Sequence, residues 1–184
     1  MQAEQDAMLR LLPDMRDRIV IDLACGTGRY SRIAQAQGAR HVIGLDNSPA
    51  MLRAGVGGVP FVQADITAIP LPASYASHVI CALAIGHVPD ITPVLKEIHR
   101  ILDVNGLALI SDFHPQLFAA GGQRTFTGAN NRTYAVEHYP HTIHTVTQQA
   151  QRIGFHTEEI ATPQLTIAGE LRPAVVVYRL RAVY

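Results

Sequence analysis

The sequence predicts an α/β fold built on one doubly wound, seven-strand sheet, mostly parallel with an antiparallel last strand. Three observations predict it. Between Ile19 and Asp112, short apolar runs alternate five times with segments of helical periodicity. A glycine-rich turn, Gly26-Thr27-Gly28, joins the first apolar run directly to the first of those helices. The alternation then breaks, and the two apolar runs nearest the C-terminus are joined by too little chain for a helix, so the last strand must run antiparallel.

Each element follows in order. Residues 2–12 carry apolar residues at Met8, Leu9, Leu11 and Leu12, a short amphipathic helix stopped by Pro13. Ile19 to Leu23 is a buried strand interrupted only by Asp22, and residues 29–37 form the helix behind the glycine turn. His41 to Asp46 is the second strand; Ser48 caps a helix over 49–54 with Pro49 at its favoured first position. Strands over 59–64 and 77–83 come next, then a helix over 89–102 whose Ile91, Val94, Leu95, Ile98, Ile101 and Leu102 share one stripe. The turn Asn105-Gly106 leads to a fifth strand over 107–112. Residues 113–140 are polar and rich in turns, with Gly121-Gly122 and Gly128 to Asn131; their flanks, 124–127 and 132–139, are suited to a hairpin. A helix over 142–153 ends at Gly154, and strands over 156–162 and 174–180 close the chain.

Composition narrows the function classes. At 184 residues the chain fits a single domain, 1–184, in which 113–144 interrupts the regular pattern. Fifteen basic and fifteen acidic residues cancel, which removes the electrostatic case for nucleic acid or an anionic membrane. Cys25 and Cys81 make no disulfide framework and point to a reducing, cytoplasmic setting. No apolar run reaches membrane-spanning length, the N-terminus lacks a signal-peptide pattern, and the nine histidines lack the paired spacing of a zinc site.

The glycine turn decides between ligands. A dinucleotide fingerprint wants a third glycine where the pyrophosphate meets the helix, and Ser31 stands there instead. Asp22 lies inside the strand, where a carboxylate repels a pyrophosphate but suits an ammonium group. The run Asp22-Leu-Ala-Cys-Gly-Thr-Gly28 resembles motif I of the class I S-adenosylmethionine (SAM) methyltransferases, a Rossmann-like family. Lys96 to Gly106 is similar to that family's segment before strand five, with Leu107 replacing its second glycine. The wording as a whole looks like the ubiquinone/menaquinone-biosynthesis type of small-molecule methyltransferase, and the resemblance covers nearly the whole chain from Ile19. Ile85-Gly-His-Val88 stands where that type often has Leu-His-His-Val.

The resemblance implies SAM as cofactor and S-adenosylhomocysteine as product. Asp46, closing the second strand, would take both ribose hydroxyls; the same placement serves NAD enzymes. Asp65 would take the adenine amino group and the backbone of Ile66 a ring nitrogen. Asp22 and the backbone of Ala24, Cys25, Gly26 and Gly28 would hold the methionine end, Asn47 and Ser48 would edge the adenine, and Ala82 and Leu83 would line the floor. Arg29 either lies near the ligand or is the solvated start of a helix.

Methyl transfer from a sulfonium asks the protein mainly to align donor and acceptor and exclude water; a base is needed only if the acceptor must lose a proton. His114, directly after strand five, is the candidate base, and otherwise lines the loop. Gly86 removes a side chain at the edge of the reaction centre and is expected to enlarge the pocket. His87 is expected to be buried and structural. Tyr134, His138, Tyr139 and His141, with His144, either ring an aromatic acceptor or sit on a solvated hairpin and helix start. The segment 113–144 would then be the substrate-side insert. A methyl acceptor on oxygen, nitrogen or carbon fits equally. The alternatives are a non-catalytic SAM-binding subunit and another class I SAM-dependent group transferase. Eighteen residues precede the first strand, fewer than in relatives, which leaves an open pocket, a homo-oligomer that covers it, or a shortened chain.

Overall fold

The structure, a computed structural model, describes residues 2–56, 58–119, 123–127, 131–167 and 169–184. Its centre is β1 (Ile19–Leu23), followed by α2 (Arg29–Ala36), β2 (His41–Asp46), α3 (Pro49–Arg53), β3 (Phe61–Gln63) and β4 (Ala76–Ala82). A 3-10 turn (Ile85–His87), α4 (Thr92–Ile101) and β5 (Leu102–Phe113) complete the first half, which α1 (Gln2–Leu11) precedes. After α5 (Gln116–Ala119) come β6 (Arg124–Thr127), β7 (Thr133–Val136), α6 (Ile143–Ile153) and β8 (Phe155–Ala161). The chain closes with β9 (Gln164–Ile167), β10 (Glu170–Pro173) and β11 (Val175–Ala182).

The sheet order is β3-β2-β1-β4-β5-β11-β8. Strand pairs are parallel from β3 to β5, and β11 runs antiparallel to both β5 and β8. The strand order therefore reverses at β1, and the crevice outside the carboxyl ends of β1 and β4 is the topological switch point.

Both faces of the sheet are covered because β1 is apolar on both. Its two-residue period sends Val20 into a core with α1, α2, Ile80, Leu109 and Val177, and Ile21 and Leu23 into the opposite core with α4, α6, Val79, Ile110 and Tyr178. Ser48 caps α3 by accepting from the Met51 N–H at 3.3 Å, and Thr142 caps α6 by accepting from Thr145 at 3.1 Å. Gly154 ends α6 at φ 116°, a left-handed position that glycine reaches without strain.

Some boundaries differ from the sequence expectation. The helix expected from Pro89 starts at Thr92, because Pro93 has no N–H to give and fits only the first turn; Asp90 instead accepts from the Thr92 N–H at 2.9 Å. The expected Asn105-Gly106 turn is real but lies inside β5. There Ala76 faces Leu102 and His78 faces Leu107, so the extra residues bulge out with Asn105 at φ 64°. The expected hairpin over 124–139 forms as β6 and β7, antiparallel with Phe126 opposite Tyr134. Gly121-Gly122 and Gly128 to Asn130 lie outside the described residues. A second hairpin, β9–β10, was not expected from sequence; it projects between β8 and β11 with Gly169 at φ 84°.

Candidate active site at the switch point

The glycine turn is held open from below. Asp22 points towards α2, and one of its oxygens accepts from both the Ser31 N–H (2.7 Å) and the Ser31 hydroxyl (2.6 Å). Ser31 thus uses the place of a third glycine to tie the helix start to β1. Burial pushes the Asp22 carboxyl up to about 6. Gly26 and Gly28 sit at φ 57° and 81°, and a methyl group placed on Gly26 would meet nothing within 4 Å. The face of the turn above Gly26 is therefore free for a ligand to approach the backbone.

Gly28 has a different reason for its missing side chain. Asp22, Gly44 and Phe61 stand in one row across β1, β2 and β3. The Phe61 ring fills the space over Gly44 and reaches beneath the turn. A methyl group would come within 2.6 Å of that ring at Gly28 or Gly55, and within 2.5 Å at Gly44. Sequence reasoning missed Phe61, because three separated glycines give no local signal of a shared neighbour.

Asp46 joins the turn to the end of β2. One carboxylate oxygen accepts from the Gly26 N–H and the other from the Ser48 N–H, both at 2.8 Å. Each oxygen keeps a lone pair for a further donor. Cys25 is buried beside it, and burial pushes its thiol up to about 12, so it is inert. Asn47 is exposed, with its carbonyl accepting from the Gln63 amide at 3.2 Å. Asp65 is exposed after β3 and accepts from the Thr67 N–H and hydroxyl, which lower its pKa; Ile66 beside it is half-buried.

Across the switch point, Ala24 directly follows β1 at φ 55° and Leu83 directly follows β4 at φ 56°. Two non-glycine residues in the left-handed region on adjacent strand ends mark backbone strain at one crevice. Ala82 is half-buried, and the Leu83 N–H bonds to the carbonyl oxygen of Ser111 at 2.8 Å. Arg29 lies neither against solvent alone nor free for a ligand. It donates at 2.9 Å to Glu4, a fully buried carboxylate of α1 that also accepts from the Tyr30 and Ser111 hydroxyls.

The far side of the crevice is built by the ends of β4 and β5 and by the segment after them. His114 is buried; its Nδ1 accepts from the Gln116 N–H at 3.3 Å, and burial lowers its pKa. Asp112, which sequence reasoning placed only as a strand end, is 4% exposed, and burial pushes it up to about 6. It accepts from the Phe113 N–H at 2.8 Å and from the backbone of Gly86. Arg124 reaches back from β6, donating to the Leu83 carbonyl (3.3 Å) and His87 Nε2 (2.8 Å) and lying 5.1 Å over the Phe113 ring.

The space left by the missing side chain of Gly86 is filled in this structure by the His138 ring. One expectation needs correcting here. His87 is not buried packing; it lies on the exposed side of the 3-10 turn as the acceptor for Arg124. The expected histidine group is also dispersed. His141 Nε2 donates to the Val88 carbonyl at 3.0 Å, His144 is exposed on α6, and Tyr139 bonds the Gly86 carbonyl through its N–H at 2.8 Å. Tyr134 is 41% exposed on β7. Among the described residues, no group of three His, Cys, Asp or Glu is placed to hold a metal ion. Cavities of about 370 and 290 Å³ lie away from the crevice, one between α6 and β8 and one beside β2.

Comparison with known proteins agrees with this geometry. Residues 21–110 match the methyltransferase domain family. The ubiquinone/menaquinone biosynthesis C-methyltransferase UbiE of Photorhabdus laumondii is 31% identical over 117 residues, 56% of this chain and 46% of its own length. The chain spans about half the length of the curated relatives it matches. A SAM-dependent methyltransferase of Mesorhizobium loti superposes with TM-score 0.79 at 23% identity, over 97% of each chain. A Listeria monocytogenes protein assigned to the same class superposes with TM-score 0.84 at 22% identity, over 100% of this chain and 99% of its own. Residues 21–110 thus match the methyltransferase domain family, and the fold is the one shared by solved SAM-dependent methyltransferases. Over about half of its length the chain is similar to the ubiquinone/menaquinone C-methyltransferases. Among the described residues no helix is long and apolar enough to cross a membrane.

Proposed function

We propose that the chain transfers a methyl group from SAM to a small, apolar or aromatic molecule. The observation that carries the reading is the open face of Gly26 beside the Asp46 carboxylate at the switch point. An adenosine needs both there: backbone it can approach and an acceptor for its ribose hydroxyls. Asp46 would hold the ribose, Asp65 and Ile66 the adenine with Asn47 and Ser48 at its edge, and Ala24, Cys25, Gly26 and Gly28 the methionine end. Asp22 would orient the ammonium through the oxygen that Ser31 leaves free. Ala82 and Leu83 would form the floor. Bound SAM supplies an activated methyl carbon, so this chain's residues have only to align the acceptor and keep water out.

The segment 113–144 would form the wall over the reacting atoms. Phe113, Phe118 and His138 pack there as rings, and Arg124 pins the wall to β4. For an acceptor that must lose a proton, His114 is the proposed base. Its Nδ1 accepts from the Gln116 N–H, so in the neutral ring Nε2 carries the hydrogen and Nδ1 is the basic nitrogen. Acting as base would require Nδ1 to leave Gln116, and the lowered pKa keeps the ring neutral near pH 7. The zero formal net charge supports a small molecule over nucleic acid, and the two free cysteines support a cytoplasmic setting. Neighbouring copies covering the crevice belong to the same proposal.

A single-turnover experiment with methyl-labelled SAM and a panel of phenols, amines and quinones tests this. Label should pass to at least one panel member, and His114→Ala should slow that transfer about 10²–10⁴-fold while leaving SAM affinity within a few-fold. SAM bound tightly with no transfer to any class of small acceptor would favour the non-catalytic subunit instead.

A further inference from the structure

One ring from the segment after β7, that of His138, fills the space beside Gly86. Gly86, the middle residue of the 3-10 turn, has no side chain. A methyl group added there would overlap His138 Cε1 and stand 2.6 Å from Asp112 Oδ2. The imidazole and the carboxylate therefore face the same notch. The ring is gripped as a flat guest would be: Phe118 stacks on it with centroids 4.3 Å apart and 29° between planes, and Phe113 meets its edge at 6.0 Å.

The hydrogen bonding of this ring is incomplete. Among the described residues, four buried side-chain nitrogen or oxygen atoms lack a partner, and both ring nitrogens of His138 are among them. A neutral imidazole carries one N–H donor and one acceptor, and leaving such a group unpaired in the interior costs about 1–3 kcal/mol. Shape complementarity holds the ring in the notch while its polar edge goes unsatisfied.

We propose that the Gly86 notch is the acceptor subsite, that the His138 ring occupies it in place of the acceptor's own ring, and that Asp112 reads an O–H or N–H on that ring. The proposal rests on the methyltransferase reading and narrows its substrate class to a planar ring bearing a hydrogen-bond donor. Phe113 and Phe118 supply the stacking contacts. Asp112 supplies the acceptor, a charge-assisted bond that a plain hydrocarbon ring cannot return. Arg124, which is drawn to Asp112 by charge, fixes the wall through Leu83 and His87. His138 must swing out for the acceptor to enter, so the free protein binds its acceptor only from the fraction of molecules with the notch vacated.

Two probes of equal size separate the parts: phenol, which has the donor, and toluene, which lacks it. Each is titrated into the S-adenosylhomocysteine-loaded protein, with the imidazole signals of His138 followed by NMR and assigned by their loss in His138→Ala. Phenol should shift those signals and bind at least tenfold more tightly than toluene. His138→Ala should bind phenol about tenfold more tightly than the wild type, because no internal ring competes. Asp112→Asn should lower the phenol-over-toluene preference fivefold or more. Calorimetry of S-adenosylhomocysteine on every variant reports whether each is folded. If the nucleoside binds but phenol leaves His138 undisturbed, or His138→Ala gains nothing, the notch proposal falls and the methyltransferase reading stands. If the wild type does not bind the nucleoside, both fall.

Discussion

Two carboxylates carry an unusual electrostatic load for their position. Asp22 and Asp112 interrupt apolar strands in the same way, each near a strand's carboxyl end, and burial pushes both up to about 6. A carboxyl raised above its unfolded value near 4 binds more protons when folded. Its contribution to stability is therefore full below about pH 4 and is lost as pH rises through 6. Asp65 and Glu97, whose pKa values are lowered by hydrogen bonds from Thr67 and Arg100, act in the opposite sense and gain stability as pH rises. Asp22→Asn keeps an oxygen for Ser31 and removes the titration. Its stability relative to the wild type should improve by about 1–2 kcal/mol between pH 5 and pH 7.5, read from denaturant midpoints at the two pH values. A difference that does not change with pH would mean that Asp22 titrates like a surface carboxylate. The signal that singled out Asp22 in the sequence, an acid inside an apolar run, was equally present at Asp112. It went unused there because no glycine turn follows.

Elements whose cause is local were legible, and those whose cause is distant were not. The ends of β2 and α6 match the sequence expectation closely, because alternation, Thr142 and Gly154 act within a few residues. The β9–β10 hairpin lacks an Asn-Gly or Asp-Gly turn and a strong apolar alternation, so nothing local announces it. The Arg124 clamp spans 41 residues to Leu83, and the Phe61 cradle draws on glycines from three separate elements. These contacts exist only in the folded chain. The Phe61 cradle makes its own prediction. Phe61→Ala leaves a void under Gly28, Gly44 and Gly55, and should cost about 2–4 kcal/mol in chemical denaturation, reduced from a full core value because the ring is half-buried. SAM affinity should fall with it, since the ring props the turn. A variant within 0.5 kcal/mol of wild type would show that the turn supports itself.

At the scale of the whole molecule, the crevice is where every constraint converges. The reversal of strand order opens it, strained Ala24 and Leu83 line its two sides, and Gly26 is bonded to Asp46 at the end of β2 beside it. The buried Glu4 ties α1 to the glycine turn through Arg29 and Tyr30 and to β5 through Ser111, so the helix packed on one face is locked to the site's floor. The proposed class of cofactor rests on this arrangement together with Ser31 in the third-glycine position. Isothermal calorimetry of SAM, S-adenosylhomocysteine and NADH on the wild type and on Asp46→Ala tests that most directly. The wild type should bind both SAM and S-adenosylhomocysteine and not NADH. Asp46→Ala, with its folding checked by its thermal transition, should weaken both by about 2–3 kcal/mol, roughly 30–150-fold, through the loss of two charge-assisted ribose bonds. Tight NADH binding with no SAM binding would contradict the account, and SAM affinity unchanged in a folded Asp46→Ala would remove Asp46 from the ribose.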